Sequence, residues 1–144
     1  MAYKFYGWEC ATVPAINKIY PGIETPLDLY DALSNVWSVE SCAPNLRGEW
    51  AENNKTCGQC SITSFIVQDI FGGEVYGIPL ETGDIHCFNV VGDSKFDLTS
   101  EQFGGKILDY NSNLLQTREE HFKKNPGKED RYNLLREGLK KLTK

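Results

Sequence analysis

The sequence lacks a hydrophobic run long enough to cross a bilayer, because no stretch of its 144 residues approaches the ~20 apolar residues that a spanning helix needs. Its start also lacks the apolar core of a secretory signal, so we expect a cytoplasmic protein that does not associate with membranes. Basic residues are few, with 15 Lys and Arg against 20 Asp and Glu and a net charge of −5. This balance argues against a general nucleic-acid-binding protein, which needs a basic surface.

Internal repeats, low-complexity tracts and linkers long enough to separate two domains are absent from the sequence as well. The composition, with 40% hydrophobic and 24% charged residues, is typical of a folded globular protein. A chain of this length can bury most of its apolar surface in one core. We therefore expect a single domain over residues 1–144.

Cysteine and histidine are the residues whose chemistry is most informative. The five cysteines are an odd number, in a chain too long to depend on a disulfide scaffold. In a reducing cytosol we expect them to be thiols, metal ligands or a nucleophile. Of the two histidines, His86 falls in a predicted strand, and His121 is expected to lie on a solvated, polar helix face.

The clearest periodic pattern follows Cys60, where apolar residues recur three and four positions apart and predict a largely buried helix over 60–71. Gly72-Gly73 is typical of a helix C-terminus. Strands are predicted over residues 74–80, 85–91 and 95–98, and the last two form a hairpin because only a short turn separates them. The central unit is therefore a helix packed on an antiparallel sheet of about three strands.

Further helices flank this unit. Thr25-Pro26 is typical of an N-cap followed by proline at the first helical position, and predicts a helix over 26–37. Polar helices are predicted over 114–124 and 128–142. The predicted fold class is α+β, with a core over about 26–103 and a helical part over about 114–142.

Three separated residues fit the roles of nucleophilic thiol chemistry. Cys60, in Cys57-Gly58-Gln59-Cys60, enters a helix whose N-terminal N–H groups and dipole favour a thiolate. His86 can take up the thiol proton and later deliver it to a leaving group. Asp97 can fix the imidazole tautomer, because residues on adjacent strands of one hairpin can lie side by side.

These motifs resemble two groups of proteins. Gly58-Gln59-Cys60 before a buried helix resembles the nucleophile motif of transglutaminase-like and papain-like cysteine enzymes, and the segments around His86 and Asp97 resemble their later His and Asp strands. The run from Gly58 to Phe103, with Asn125-Pro126 and Arg131-Tyr132, more closely resembles the YunG-like family of small bacterial proteins, which has no assigned function. The resemblance implies a papain/transglutaminase-like core.

Residue by residue, the resemblance implies Cys60 as nucleophile, His86 as base and Asp97 as orienting acid. Papain-like enzymes place an oxyanion-stabilising Gln six positions before the nucleophile, and this chain has Asn54 there. Asn54 could donate a similar hydrogen bond, together with the backbone N–H of Cys60. Gln59 is a further candidate for positioning the substrate or the Cys60 loop.

The predicted function is hydrolysis or acyl transfer on an amide or ester through a Cys60 thioester, a cycle that needs no cofactor. The substrate, which could be a small molecule, a peptide or a protein, is not encoded in these motifs, and neither is the oligomeric state. One alternative is a non-catalytic binding module on the same fold. Another is a structural zinc site of Cys57, Cys60 and His86, with Cys87 as a fourth ligand. Against the fourth ligand, adjacent strand residues such as His86 and Cys87 point to opposite faces.

Overall fold

The computed structural model describes residues 3–143, which form an antiparallel sheet of four strands with four α-helices and three short 3₁₀ turns. The helices are α1 (Pro26–Leu33), α2 (Cys60–Phe71), α3 (Arg118–Lys124) and α4 (Pro126–Leu142). The strands are β1 (Glu74–Pro79), β2 (Ile85–Val91), β3 (Ser94–Phe96) and β4 (Leu114–Gln116). The α+β class is confirmed. None of these helices is long and apolar enough to cross a membrane.

The sheet has one strand more than the sequence predicts, and its order is β3-β2-β1-β4. The additional strand, β4, falls where a helix over 114–124 was predicted. Tyr76 of β1 pairs with Leu115, so the edge of β1 satisfies the backbone groups of this short segment. Helix starts only after Thr117, whose side chain caps α3 by accepting from the Glu120 N–H. The C-terminal part is therefore not wholly helical.

Helix α2 lies at the centre of the molecule, with the bounds that the sequence predicts, and most of its residues are buried. Its Ser64 carbonyl accepts a hydrogen bond of 2.9 Å from the Asn89 side chain, which joins α2 to β2. Each large apolar side chain buried here stabilises the fold by about 1.5–3 kcal/mol. The main core includes Leu29, Phe65, Ile66, Ile70, Val75, Cys87 and Leu135.

A buried hydrogen bond fixes the segment after α1 onto α2. The Trp37 indole N–H donates to the Thr63 hydroxyl over 3.0 Å, and the Trp37 side chain is almost fully buried. Thr63→Val keeps the shape and removes the acceptor, so it should lower the free energy of unfolding by about 1–3 kcal/mol, the usual cost of an unsatisfied buried donor. Urea unfolding measures this. Thr63→Ser keeps the hydroxyl and is the control. If the Val variant is as stable as the Ser variant, the hydrogen bond does not contribute to the free energy of unfolding.

Candidate active site

Cys60 is the first residue of α2, and its half-buried side chain lines a cavity of about 610 Å³ together with His86. The helix begins with Gln59 as N-cap residue and no side-chain capping hydrogen bond. Its first backbone N–H groups therefore keep their donor capacity, and the positive end of the helix dipole faces the thiol. This placement favours a thiolate at the cavity wall.

The loop before Cys60 is held tightly from several sides. Gly58 has a φ of 70°, and a Cβ on it would lie 2.5 Å from the Cys42 Sγ, so only glycine fits. The Gly58 N–H donates to the Gln102 side-chain oxygen over 3.3 Å. The Gly58 carbonyl accepts from the Ala43 N–H and from the Arg131 guanidinium. These contacts fix the direction in which α2 starts, and with it the position of Cys60.

His86, which lines the cavity, forms a buried pair with Asp97. The His86 Nε2 lies 2.6 Å from the Asp97 Oδ2, and each side chain is 1% exposed. The strand register explains the pairing: Phe96 pairs with Asn89, so the next residue, Asp97, comes beside the strand face that carries His86. Asp97 engages Nε2, which leaves Nδ1 as the second nitrogen of the ring. Phe103 packs edge-on against the imidazole, with centroids 4.7 Å apart.

Asp97 accepts four hydrogen bonds, which use both of its oxygens. Its Oδ1 accepts from the Thr99 N–H and hydroxyl at 3.1 and 3.2 Å. Its Oδ2 accepts from His86 and from the Tyr110 hydroxyl, which lies 2.7 Å away. One oxygen therefore caps the following turn while the other holds the imidazole. Burial and the charge of Asp97 raise the pKa of Tyr110, which stays a donor at all ordinary pH values.

The N-terminal segment clamps the acid from the outside. The Tyr6 carbonyl accepts from the Asp97 N–H over 2.9 Å, and the Tyr6 N–H donates to the Ser100 hydroxyl over 2.8 Å. The Tyr6 ring stacks on Tyr110, with centroids 3.7 Å apart. Both the backbone of Asp97 and its tyrosine donor are thus held by a residue far away in the chain.

The electrostatics of this group favour a thiolate paired with an imidazolium. The pKa of Cys60 is lowered well below the usual thiol value, first by a hydrogen bond from the Cys87 thiol and, against the opposing effect of burial, by the hydrogen bond and charge of His86. Burial acts to lower the pKa of His86, but Asp97 and Cys60 outweigh it and raise that pKa to about 10. At neutral pH the proton therefore resides on His86.

The two predicted positioning residues lie in different environments. Asn54 lines the cavity, and its side-chain N–H₂ makes only a long hydrogen bond of 3.5 Å, to the Glu49 carbonyl. Gln59 is fully buried, and its amide donates to the Ser38 carbonyl over 3.0 Å behind the Cys60 loop. Gln59 does not line the cavity, so its contact is with the loop and not with the space that a substrate would fill.

Cys57, Cys60 and His86 of the zinc alternative all line the cavity, but in the described part of the chain they do not form a group that could hold a metal ion. The Cys57 thiol donates to the Leu46 carbonyl over 3.9 Å, whereas the pKa of Cys60 responds to Cys87 and His86. Within residues 3–143, no group of three or more His, Cys, Asp or Glu side chains could hold a metal ion.

Comparison with known proteins gives the family. Residues 25–144 match the family model described as YunG protein. The chain belongs to the YunG family. A protein of Bacillus subtilis (strain 168), named "Uncharacterized protein YunG", is 33% identical over 107 residues, which cover 74% of this chain and 84% of that protein. No solved structure matches, so the papain/transglutaminase-like core stays a prediction from the motifs.

In this YunG-family chain, several residues of the cavity and of the site are not predicted from the sequence. His121 was predicted to be solvated, but it is half-buried at the cavity, because the Lys128 ammonium and the Gln116 side chain hydrogen-bond its two ring nitrogens. Tyr110 lies in an irregular segment with no periodic signal. The Arg131-Tyr132 motif of the family resemblance was the one available hint, since Arg131 contacts the Gly58 carbonyl.

Proposed function

We propose that this protein is a cysteine hydrolase or acyltransferase that acts on an amide or ester through a Cys60 thioester. The observation that carries the proposal is the buried 2.6 Å pair of His86 and Asp97 beside a thiol at a helix start. The pair is almost completely shielded from bulk solvent, but His86 and Cys60 both line an open cavity that a substrate could enter. A charged imidazole held at the wall of a cavity next to a thiol is suited to acid–base catalysis.

In the proposed cycle, the Cys60 thiolate attacks the substrate carbonyl carbon and forms a C–S bond, and the carbonyl electrons move onto oxygen. The backbone N–H of Cys60 and the Asn54 amide donate to this oxyanion. When the oxyanion collapses, the C–N or C–O bond breaks, and the leaving group takes the proton from His86. Water or an acceptor amine then attacks the thioester, His86 takes its proton, and the thiolate leaves.

Selective alkylation tests the activated thiol directly. At pH 6–7, iodoacetamide should label Cys60 on the order of tenfold faster than an ordinary thiol, because a lowered pKa raises the thiolate fraction by more than it weakens the nucleophilicity of the thiolate. Cys10 is the matched control within the chain, since it is also half-buried but its thiol donates to the Gly7 and Lys95 carbonyls. Mass spectrometry of cysteine-containing peptides gives both rates. His86→Ala should remove most of the advantage of Cys60.

The same experiment separates an enzyme from a binding module. Equal labelling rates for Cys60 and Cys10, unaltered by His86→Ala, would mean that Cys60 is a packed helix-start residue on a non-catalytic module. An intact-mass increase by one acyl group after reaction with an activated ester, absent in Cys60→Ser, would identify the thioester. Loss of that mass increase in water, compared with its transfer to an added amine, distinguishes hydrolysis from acyl transfer.

A further inference from the structure

Lys128 lies in the first turn of α4 and lines the same cavity as Cys60. Its side chain is half-buried, and its Nζ lies 2.9 Å from the His121 Nδ1. Among residues 3–143, no carboxylate lies within 4.0 Å of this ammonium. A lysine that is partly removed from water ordinarily has an anionic partner. Here no carboxylate of the described part of the protein supplies that partner.

The residue that holds Lys128 does not neutralise it. The His121 Nε2 lies 2.7 Å from the Gln116 side-chain oxygen, to which it donates, so Nδ1 is left as the acceptor for the ammonium. Burial and the charge of Lys128 lower the pKa of His121 to about 4, so the ring is neutral at physiological pH. His121 thus orients Lys128 toward the cavity and leaves its full positive charge available.

The other charged groups of the cavity do not take up this charge. Arg131 is buried, and its guanidinium donates to the Ser41 and Gly58 carbonyls, so it also adds positive charge. Lys124 is exposed at the rim. Three carboxylates line the cavity, but all are exposed, so water and salt screen them: Glu49, Asp84 and Glu120. The inner part of the cavity is therefore positive beside Cys60.

We propose that Lys128 makes this cavity selective for acyl substrates with an anionic group, such as a carboxylate or a phosphate, close to the reacting carbonyl. The inference rests on the proposed thiol chemistry of Cys60 and adds the class of substrate. The anion would replace the missing partner of the ammonium, and the charge-assisted hydrogen bond would place the carbonyl next to the thiolate. Burial lowers the pKa of Lys128, and the Cys60 thiolate opposes that effect. The two charges therefore interact electrostatically across the cavity.

The test compares two alkylating agents of similar size, iodoacetate and iodoacetamide, on Cys60 at pH 7 and low ionic strength. Both react with the same thiolate, so the ratio of their rates is independent of the thiolate fraction. Normalised to the ratio for N-acetylcysteine, the ratio for Cys60 should favour iodoacetate about tenfold, the order expected for one nearby cation at reduced dielectric constant. Lys128→Gln should lower the normalised ratio several-fold, and the His86 imidazolium and Arg131, which stay in place, account for the preference that remains.

Two further variants and a salt series control the experiment. Lys124→Gln removes a rim charge and should leave the ratio unchanged, whereas Lys128→Arg keeps the inner charge and should retain most of the preference. In the unsubstituted protein, raising the ionic strength from about 0.01 to 0.5 M should reduce the preference for iodoacetate. This measurement does not depend on whether a variant folds. A ratio equal in the unsubstituted protein and in Lys128→Gln, or insensitive to salt, overturns the inference but not the proposed function. A Cys60 inert to both reagents overturns both.

Discussion

Replacing His86 with alanine should slow the turnover of an activated ester by Cys60 about 10²- to 10⁴-fold, the usual contribution of a positioned acid–base group. The variant loses the proton donor for the leaving group and the imidazolium that lowers the pKa of Cys60. Release of p-nitrophenol from p-nitrophenyl acetate measures turnover, with Cys60→Ser as the background. Cys10→Ser removes a half-buried thiol outside the cavity and should keep the full rate.

The pH dependence of turnover checks the same assignment. With an amide substrate, whose leaving group must take a proton, turnover needs a thiolate and an imidazolium together, so it should rise in the acidic range and fall again as His86 loses its proton near pH 10. Alkylation needs only the thiolate and should show no alkaline fall. A turnover rate that keeps rising through pH 9 to 10 in parallel with alkylation would contradict a role for the His86 proton.

Asp97→Ala should lower the free energy of unfolding by about 3–5 kcal/mol, the usual cost of removing one partner from a buried ion pair. The 1% exposed Asp97 carboxylate is the acceptor for His86, Tyr110 and Thr99, and all these donors would lose it together. Asp97→Asn keeps the volume and one oxygen acceptor, so a smaller loss is expected. Urea unfolding followed by circular dichroism gives both values.

The loss of stability in Asp97→Asn should depend on pH in a defined direction. The pKa of His86 is raised from 6.5 to about 10 in the folded state. The stability that this group contributes is therefore fully present below pH 6.5 and is lost as the pH rises through about 10. The difference in unfolding free energy between the unsubstituted protein and Asp97→Asn should accordingly shrink from pH 6 to pH 10. A constant difference would contradict an ion pair between the two side chains.

The parts of the fold that the sequence predicts well are those with a strong local signal. Helix α2 has a dense apolar periodicity and a glycine pair at its end, so its bounds were predicted correctly. Helix α1 ends at Leu33 and not at residue 37, because Ser34 and Asn35 hydrogen-bond to the backbone carbonyls of the preceding turn. Strand β4 was missed because Leu114 and Leu115 fit either state, and pairing with β1 decides between them.

Some residues of the candidate site are also predictable from local sequence patterns, and others are not. Cys60, His86 and Asp97 lie in or next to well-patterned elements, so their approach was predictable from the hairpin and the helix start. Tyr110 and Lys128 reach the site through the docking of an irregular segment and of α4. Their neighbours in sequence are polar and carry no sign of a cavity, and only tertiary packing creates their role. Sequence patterns of single elements do not contain that information.

The clamp formed by Tyr6 makes the geometry around Asp97 one of the most non-local features of the chain. Tyr6 and Ser100 are 94 positions apart, and the contact between Arg131 and Ser41 that supports the Cys60 loop spans 90 positions. Closing such long loops costs conformational entropy, so we expect these contacts to form after the local helices and the β2–β3 hairpin. A nascent or truncated chain can therefore contain Cys60 and His86 in native secondary structure without Asp97 in place. In the proposed mechanism, activation of the thiol is then a late folding event, and a half-folded chain carries only an ordinary cysteine.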